Sequence, residues 1–258
     1  MKIAIIGAGA FGTALGGVLE KRGITVEYFD PKIEKTLEEV CENAEFIILA
    51  VPSVAAPKVL PNLPKDAPLI IATKGILDTC LINDFKDVMV LSGPGFANDI
   101  KAGIKIALTT TDKRVEGLFG SEYFSFDLTD DIRGVLLCGA LKNVYAIIAG
   151  MADFEAESEE WEKFIKEACL EMKEILKANG ADPKTVDLYC GIGDLRLTCN
   201  YPSRNYEFGR ILRQNPSAKP EKTVEGISAL SRIKNGGLSI PGTAVKLKEL
   251  IEKSKIWN

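Results

Sequence analysis

Hydrophobic positions follow two different patterns along this chain of 258 residues. In the first half, short apolar runs rich in Ile and Val alternate with helical segments, which is typical of a parallel β-sheet covered by helices on both faces. We therefore expect an α/β fold with a mostly parallel sheet in this half. The predicted strands lie at residues 2–6, 24–29, 46–51, 69–73, 88–91, 104–110 and 123–128, and a helix is predicted at residues 12–22.

From about residue 130 the pattern becomes helical. Residues 134–151 form an apolar run with Lys142 and Asn143 near its centre, and this polar pair favours a buried helix over a membrane span. An amphipathic helix follows at residues 159–179 and ends before Gly180. Further helices are predicted at residues 206–214, 223–234 and 243–253. The two patterns predict an α/β domain and an all-α domain, at residues 1–129 and 130–258.

The charge balance and the missing histidine restrict the chemistry. With 32 Lys and Arg against 36 Asp and Glu, the net charge is -4, which argues against nucleic-acid binding but permits a local cationic cluster for a small anionic substrate. Histidine is absent, so a histidine general base or metal ligand is excluded, and no metal site is predicted. The six cysteines form no CxxC pair and follow no signal peptide, which favours reduced thiols in the cytoplasm.

A glycine-rich loop follows the first predicted strand. Gly7, Gly9 and Gly12 match the GxGxxG spacing of dinucleotide-binding loops, whose glycines allow a tight turn, approach of a pyrophosphate and close helix packing. Asp30 ends the second strand, where a carboxylate accepts hydrogen bonds from ribose hydroxyls and repels a 2′-phosphate, so NAD is favoured and NADP is the alternative. The competing interpretations are a purely structural turn and an aspartate that caps a helix beginning near Pro31.

Three later strand ends carry further candidates, because parallel strands deliver their carboxyl ends to the sheet edge where ligands bind. Lys74 is the charged candidate among them, and the alternative is a lysine solvated in a loop. The three segments are Val51-Pro52-Ser53, Thr73-Lys74-Gly75 and SGPGFA at residues 92–97.

Lys142 is the main candidate for chemistry because it lies inside the apolar run of residues 134–151. Burying an ammonium group is costly unless it is paired or neutralised, and desolvation lowers a lysine pKa toward the range useful for proton transfer. Asp194 is the expected partner, since a carboxylate can orient the lysine and support its charge. The alternatives are that the Lys142 ammonium group extends to solvent or that it forms a purely structural ion pair with an aspartate.

The segment GIGDLRLTCNYPSRN at residues 191–205 combines charged and polar side chains with glycines and a proline. An arginine fork together with Ser and Asn hydrogen bonds suits a small anionic ligand. The alternative is a polar turn followed by a helix that is capped by Ser203 or Asn205.

Together these motifs resemble those of the bacterial-type NAD(P)-dependent glycerol-3-phosphate dehydrogenases. The resemblance implies a Rossmann-like N-terminal domain followed by a helical substrate domain. It also implies interconversion of dihydroxyacetone phosphate and sn-glycerol 3-phosphate for phospholipid synthesis, and it leaves a homodimer open. It rests on GAGAFGTAL at residues 7–15, AVPS at 50–53, KG at 74–75, SGPGFA at 92–97, GALKNVYAIIAG at 139–150, GIGDLRLTCNYPSRNYEFG at 191–209 and VEG at 224–226.

The resemblance further implies roles for individual residues. Lys142 is expected to exchange a proton with the substrate oxygen, with Lys74 and Asp194 as its catalytic neighbours. The expected ligands of the substrate phosphate are Ser203, Arg204 and Asn205. The other expected substrate contacts are Gly93, Gly95, Asn143 and Thr198, and the expected cofactor contacts are Gly7, Gly9, Ala10, Phe11, Gly12, Asp30, Pro52, Lys74, Ala97, Arg204 and Glu225.

Three segments depart from the family pattern and leave other functions open. Residues 30–45 form a short link, Gly95 stands where serine is usual, and residues 151–170 lack the usual Asn-Thr-basic pattern. Arg196 lies at a variable position and is expected to be solvated. One alternative is a related two-domain dehydrogenase for another small phosphorylated or carboxylated ketone. The other is a catalytically silent dinucleotide-binding regulator, against which the predicted charged residues argue.

Overall fold

The structure is a computed structural model that describes residues 1–75, 81–200 and 203–253. The chain falls into two units. The first comprises residues 1–73 and the chain between residue 81 and Ile132, and the second comprises Lys74, Gly75 and the described residues from Arg133 onward.

Within the described residues of the first unit, seven strands form one sheet in the order β2-β1-β3-β4-β5-β6-β7. Every neighbouring pair is parallel except β5 and β6, so the prediction of a mostly parallel α/β fold is confirmed. The strands are β1 (Lys2–Ile6), β2 (Thr25–Phe29), β3 (Phe46–Leu49), β4 (Leu69–Ile71), β5 (Val88–Ser92), β6 (Ile106–Thr110) and β7 (Phe124–Leu128).

The antiparallel pair of β5 and β6 is joined by a connection that contains α4 (Ala97–Lys101), a helix of five residues. The chain enters β6 from the end of the sheet at which β5 finishes, so that Leu91 pairs with Thr110.

The other described helices of this unit are α1 (Ala10–Lys21), α2 (Leu37–Cys41), α3 (Ala56–Val59) and α5 (Lys113–Phe119). On α1, Leu15 and Leu19 are buried in the same core cluster as Ile3 and Ile5 of β1. Each such side chain contributes about 1.5–3 kcal/mol when fully buried. This packing fixes the start of α1 against the end of β1, where the glycine-rich loop lies.

The second unit is helical, as the sequence predicts. Its longest helix is α6 (Ile132–Ala152), in which nearly every residue from Gly134 to Gly150 is buried. By length and composition alone α6 could cross a membrane, but 83% of its most apolar window is buried inside the protein. The other described helices are α7 (Glu159–Ala178), α8 (Asp194–Thr198), α9 (Arg204–Gln214), α10 (Glu225–Arg232) and α11 (Val245–Lys253).

Two glycines bring α6 and α9 close together. A Cβ at Gly150 of α6 would meet the backbone carbonyl of Tyr206, and a Cβ at Gly209 of α9 would meet the carbonyl of Ile147. Side chains at either position would push the helices apart. The start of α9 is therefore held against the helix that carries Lys142.

A buried glutamate that the sequence analysis missed joins three helices of this unit. Glu171 of α7 is 7% exposed and accepts a hydrogen bond from the Tyr145 hydroxyl at 2.9 Å. It also accepts the backbone N–H groups of Lys246 at 2.9 Å and Leu247 at 3.3 Å. These N–H groups belong to the first turn of α11, which has no partners for them within the helix. Glu171 therefore acts as a cap for α11.

We expect Glu171→Gln to lower the free energy of unfolding by about 1.5–3 kcal/mol, because an amide replaces a charged acceptor of three hydrogen bonds. Urea denaturation measures this change. Glu174→Gln, at an exposed position of the same helix, is the control and should change stability by less than about 0.5 kcal/mol. Equal stability of the two variants would show that Glu171 does not hold α11.

Candidate active site

The glycine-rich loop joins β1 to α1. Gly7 has a φ of +111°, and a Cβ there would lie 2.6 Å from the carbonyl oxygen of Ala50, just beyond β3. A Cβ at Gly12 would meet the carbonyl oxygen of Gly7. At Gly9, by contrast, a Cβ would have no described neighbour within 4 Å. Packing therefore requires glycine at positions 7 and 12, whereas Gly9 borders space that a bound group can enter.

The start of α1 suits a phosphate group. Gly9 is the N-cap residue and offers no side chain to the first N–H groups of this helix of 12 residues. Such N–H groups and the helix dipole favour an anion. The sheet order also reverses at β1, because β2 and β3 flank it on opposite sides, and open α/β sheets bind ligands at such a point. The residues present therefore fit a dinucleotide pyrophosphate.

Asp30 is tied to the glycine-rich loop. Its Oδ2 accepts the backbone N–H of Ala8 at 3.2 Å, and its Oδ1 accepts that of Lys32 at 3.1 Å. The alternative that Asp30 caps a helix at Pro31 is wrong, since residues 31–34 form a turn and a bend and α2 begins at Leu37 with its own cap. Each carboxylate oxygen accepts more than one hydrogen bond, so Asp30 can hold the loop and still accept from a ribose hydroxyl.

The remaining candidates of the first unit lie at the start of α1 and beyond β3 and β5. Ala10 and Phe11 open α1. A Cβ at Gly95 would meet the Ile106 side chain, so a serine fits there only if that side chain moves. The other positions are Pro52, which is exposed after β3, Gly93 directly after β5, and Ala97 at the first position of α4.

Lys142, Lys74 and Asp194 meet in a charged cluster of the second unit. Asp194 Oδ1 lies 2.5 Å from Lys142 Nζ, and Oδ2 lies 3.1 Å from Lys74 Nζ. The side chains of Asp194 and Lys142 are 1% and 5% exposed, whereas that of Lys74 is 20% exposed. One enclosed carboxylate is thus shared by two ammonium groups, of which only the Lys74 group retains contact with solvent.

The cluster brings the pKa of Lys142 into the neutral range. Burial lowers this pKa most, the Asp194 carboxylate raises it and the Lys74 charge lowers it, and together they bring the pKa to about 7. A lysine with such a pKa can both donate and accept a proton near pH 7. The arrangement is therefore suited to acid-base chemistry on an oxygen of a substrate.

Thr198 is a further partner of Lys142. Lys142 Nζ donates to Thr198 Oγ1 at 3.0 Å, and this hydroxyl donates to the backbone carbonyl of Asp194 at 2.6 Å. Asp194 and Thr198 are the first and last residues of α8. A single helical turn therefore supplies both protein partners that hold the Lys142 ammonium group from this side.

Asn143 and Asn205 connect the neighbouring helices through their amides. Asn205 Nδ2 donates to Asn143 Oδ1 at 2.9 Å, and Asn143 Nδ2 donates to the carbonyl of Gly139 at 3.1 Å. The backbone N–H of Gly226 donates to Asn205 Oδ1 at 2.9 Å. These bonds give both amides a structural role, and each NH₂ group has a second donor for a ligand.

Ser203 and Arg204 lie at the start of α9. Ser203 is the N-cap residue and its hydroxyl accepts the backbone N–H of Tyr206, as in the capping alternative. Arg204 follows as an exposed side chain, and Glu225 opens α10 beside Gly226. Since Asn143 follows Lys142 and bonds to Asn205, this end of α9 adjoins the lysine that carries the predicted chemistry.

Three contacts at the start of α7 were not foreseen from the sequence. The Arg196 guanidinium donates to both carboxylate oxygens of Glu162, at 2.8 and 2.5 Å, and lies 4.6 Å from the centre of the Trp161 ring. The Trp161 indole N–H donates to the Cys199 carbonyl at 3.0 Å. The prediction that Arg196 is merely solvated is therefore wrong. The sequence shows only the residue types, an arginine in one segment and an aromatic and an acidic residue in another. Residue types alone do not indicate which side chains are in contact.

Comparison with known proteins agrees with this geometry. The family models described as the N-terminus and the C-terminus of NAD-dependent glycerol-3-phosphate dehydrogenase match residues 30–116 and 131–251. The glycerol-3-phosphate dehydrogenase (NAD(P)+) of Citrifermentans bemidjiense is 32% identical over 302 aligned positions, which cover 93% of this chain and 90% of the relative. That of Geobacter sp. strain M21 is 31% identical with the same coverage. The alignments exceed the 258 residues of this chain, so these relatives contain insertions that it lacks.

A solved structure shows the same fold. The crystal structure of glycerol-3-phosphate dehydrogenase from Coxiella burnetii superimposes with a TM-score of 0.82, at 23% identity, over 98% of this chain and 95% of that chain.

The two glycines at positions 9 and 12 should respond differently to alanine. Gly9→Ala should leave the melting temperature unchanged and weaken NADH binding by about tenfold or more, or about 1.4 kcal/mol, because its Cβ enters the space at the helix start. Gly12→Ala should lower the melting temperature, because its Cβ meets the Gly7 carbonyl. Thermal melts and fluorescence titration with NADH measure both effects, and loss of stability in Gly9→Ala would contradict the assignment.

Proposed function

Because the chain belongs to the NAD-dependent glycerol-3-phosphate dehydrogenase family, we propose that it interconverts dihydroxyacetone phosphate and sn-glycerol 3-phosphate with NAD(P)H. The observation that carries this proposal is the Asp194 carboxylate that binds Lys142 and Lys74. A ketone reductase needs a proton donor and positive charge where an oxygen becomes negative, and this cluster contains both.

Lys142 is the proton donor in the reduction of the ketone and the proton acceptor in the reverse direction. Two of its three N–H donors bind Asp194 and Thr198, so the third is assigned to the substrate oxygen. Lys74 adds a second positive charge beside it, and Asp194 fixes both side chains. A positioned donor of this kind is worth about 3–4 kcal/mol of transition-state stabilisation.

The substrate phosphate is assigned to the start of α9. This helix has 11 residues and presents its first N–H groups there, together with the exposed Arg204 side chain and the Ser203 hydroxyl. An arginine fork and helix N–H groups suit a phosphate dianion. Asn205 links this end to Asn143, the residue next to Lys142, so the phosphate and the reacting oxygen of one small molecule can be held together.

The cofactor pyrophosphate is assigned to the loop of residues 7–12, with Asp30 as the acceptor for the ribose hydroxyls. When bound, NAD(P)H supplies the hydride. The Asp30 carboxylate repels a 2′-phosphate, which supports a preference for NADH over NADPH. We assign residues 1–129 to cofactor binding and residues 130–258 to substrate binding. The other proposed cofactor contacts are Ala10, Phe11, Pro52, Lys74, Ala97, Arg204 and Glu225.

The cellular role follows from the reaction. Glycerol 3-phosphate formed by this enzyme would supply phospholipid synthesis in the cytoplasm. The five cysteines within the described residues are buried thiols, which suits a reducing compartment. A homodimer is the proposed assembly, and light scattering of the purified protein tests it.

A coupled assay with dihydroxyacetone phosphate tests the function directly. The wild-type protein should oxidise NADH faster than NADPH, and Lys142→Met should lower kcat by about 100- to 10,000-fold, because the proton donor is lost while the buried side chain keeps its length. The control is Lys177→Met, at an exposed lysine of α7. Turnover of another small ketone with none of dihydroxyacetone phosphate would contradict the substrate assignment.

The pH dependence should have opposite signs in the two directions. Reduction needs the protonated Lys142, whose pKa is about 7, so kcat/KM for dihydroxyacetone phosphate should fall as the pH rises through about 7. Oxidation needs the neutral amine, so kcat/KM for glycerol 3-phosphate should rise over the same range. Asp194→Asn should move both transitions to lower pH, because Asp194 raises this pKa. Transitions that stay unchanged in that variant would show that another group titrates.

A further inference from the structure

The helix that carries Asp194 has little stability of its own. α8 has five residues, continues directly from a π-helix of five residues at Tyr189–Gly193 and ends at Thr198. Isolated helices shorter than about 12 residues are marginal in water, so contacts with other elements must hold α8 in place. Because both protein partners of Lys142 lie on α8, any displacement of this turn also displaces the groups around Lys142.

The start of α7 provides such contacts on two sides of α8. The buried Trp161 donates its indole N–H to the Cys199 carbonyl at 3.0 Å, beyond the last residue of α8. Glu162 binds the Arg196 guanidinium in the middle of α8 through two hydrogen bonds, at 2.8 and 2.5 Å. Paired hydrogen bonds between a guanidinium and a carboxylate fix direction as well as distance.

The three side chains also support one another. The Arg196 guanidinium lies 4.6 Å from the centre of the Trp161 ring, a cation–π contact that adds to its hydrogen bonds with Glu162. Ser158 accepts the backbone N–H of Trp161 and thereby fixes the first turn of α7. The contacts with α8 therefore come from the capped first turn of α7, a helix of 20 residues.

We propose that Trp161, Glu162 and Arg196 are positioning residues that set the Asp194 carboxylate against Lys142 and Lys74. The inference rests on the proposed function. Trp161 and Glu162 lie in residues 151–170, one of the three segments in which this chain departs from the family pattern. None of the three side chains touches the reacting groups, and their effect passes through the α8 backbone.

The pH profile separates this role from a purely structural one. The charged and titratable groups that face Lys142 are Asp194, Lys74 and the Cys199 thiol. Asp194 is the one that favours the ammonium form. A displaced α8 weakens this contact, so the Lys142 transition in the kcat/KM profile should move below about pH 7. A general loss of stability would not move it.

Trp161→Phe and Glu162→Gln are the test variants. Phenylalanine keeps an aromatic ring beside Arg196 and removes the N–H donor to Cys199 together with part of the indole ring, while glutamine keeps the size of Glu162. Each variant should lower kcat for dihydroxyacetone phosphate about tenfold, within the hundredfold that a displacement of about 1 Å can cost, with little change in KM or in NADH affinity. The control is Glu167→Gln, which breaks the 2.7 Å pair between α7 and Lys246 but does not touch α8.

The outcomes are separable. Variants with lowered kcat, a transition at lower pH and an unchanged Glu167→Gln control support the inference, and partial recovery in Glu162→Asp relative to Glu162→Gln adds to it. Variants with wild-type kcat and wild-type pH profile would overturn it, even if they melt at lower temperature. If Trp161→Phe does not fold, the Glu162→Gln variant tests the inference by itself, because its site is partly exposed.

A readout without turnover keeps the inference apart from the proposed function. The Lys142 side-chain carbon signals, assigned by their loss in Lys142→Met, can be titrated by NMR in the wild type and both variants. An inactive wild-type protein would refute the proposed function only. A Lys142 titration at lower pH in the variants would still support the positioning role, and an unchanged titration would overturn it.

Discussion

The whole helical unit depends on one constraint, which is that the buried Asp194 carboxylate must stay between two ammonium groups. An ion removed from water is stable only with close partners, and the loss of one partner from such a group costs about 3–5 kcal/mol. Asp194 therefore fixes the positions of the Lys142 and Lys74 ammonium groups, and these two groups in turn stabilise the buried carboxylate. Burial and the Lys74 charge lower the pKa of Lys142 against the opposing effect of Asp194, and the resulting value of about 7 suits Lys142 for proton transfer.

Buried hydrogen bonds between helices hold this cluster in a fixed geometry. Asn143 and Asn205 tie α6 to α9, and the Gly226 N–H ties α10 to the same amide. Glu171 performs a similar task away from the reacting groups, where it joins α6 and α7 to the start of α11. Buried polar groups are costly unless they are paired, and paired networks favour a single arrangement. The apolar helix α6 is the common member of these contacts.

The nucleotide loop differs from the charged cluster because its site is made mainly by the backbone. Gly7 and Gly12 are needed because the loop packs closely on itself and on the end of β3, while Gly9 leaves room beside the first N–H groups of α1. Asp30 adds a side chain that holds this loop at Ala8. Here local sequence order suffices, since strand, loop and helix follow one another directly and make the site from consecutive residues.

The amino-acid sequence by itself determined the mostly parallel sheet, the apolar helix around Lys142 and the glycine-rich loop, because these depend on local periodicity and on residue types within a few positions. It did not determine the antiparallel β5–β6 pair, the capping role of Glu171 or the contact of Arg196 with Glu162 and Trp161. Periodicity indicates which positions are buried, but it does not indicate which distant polar group forms a hydrogen bond with a buried donor or acceptor. Only the tertiary structure decides those partners, since each buried donor or acceptor must bind whatever group the packing of helices brings within about 3 Å.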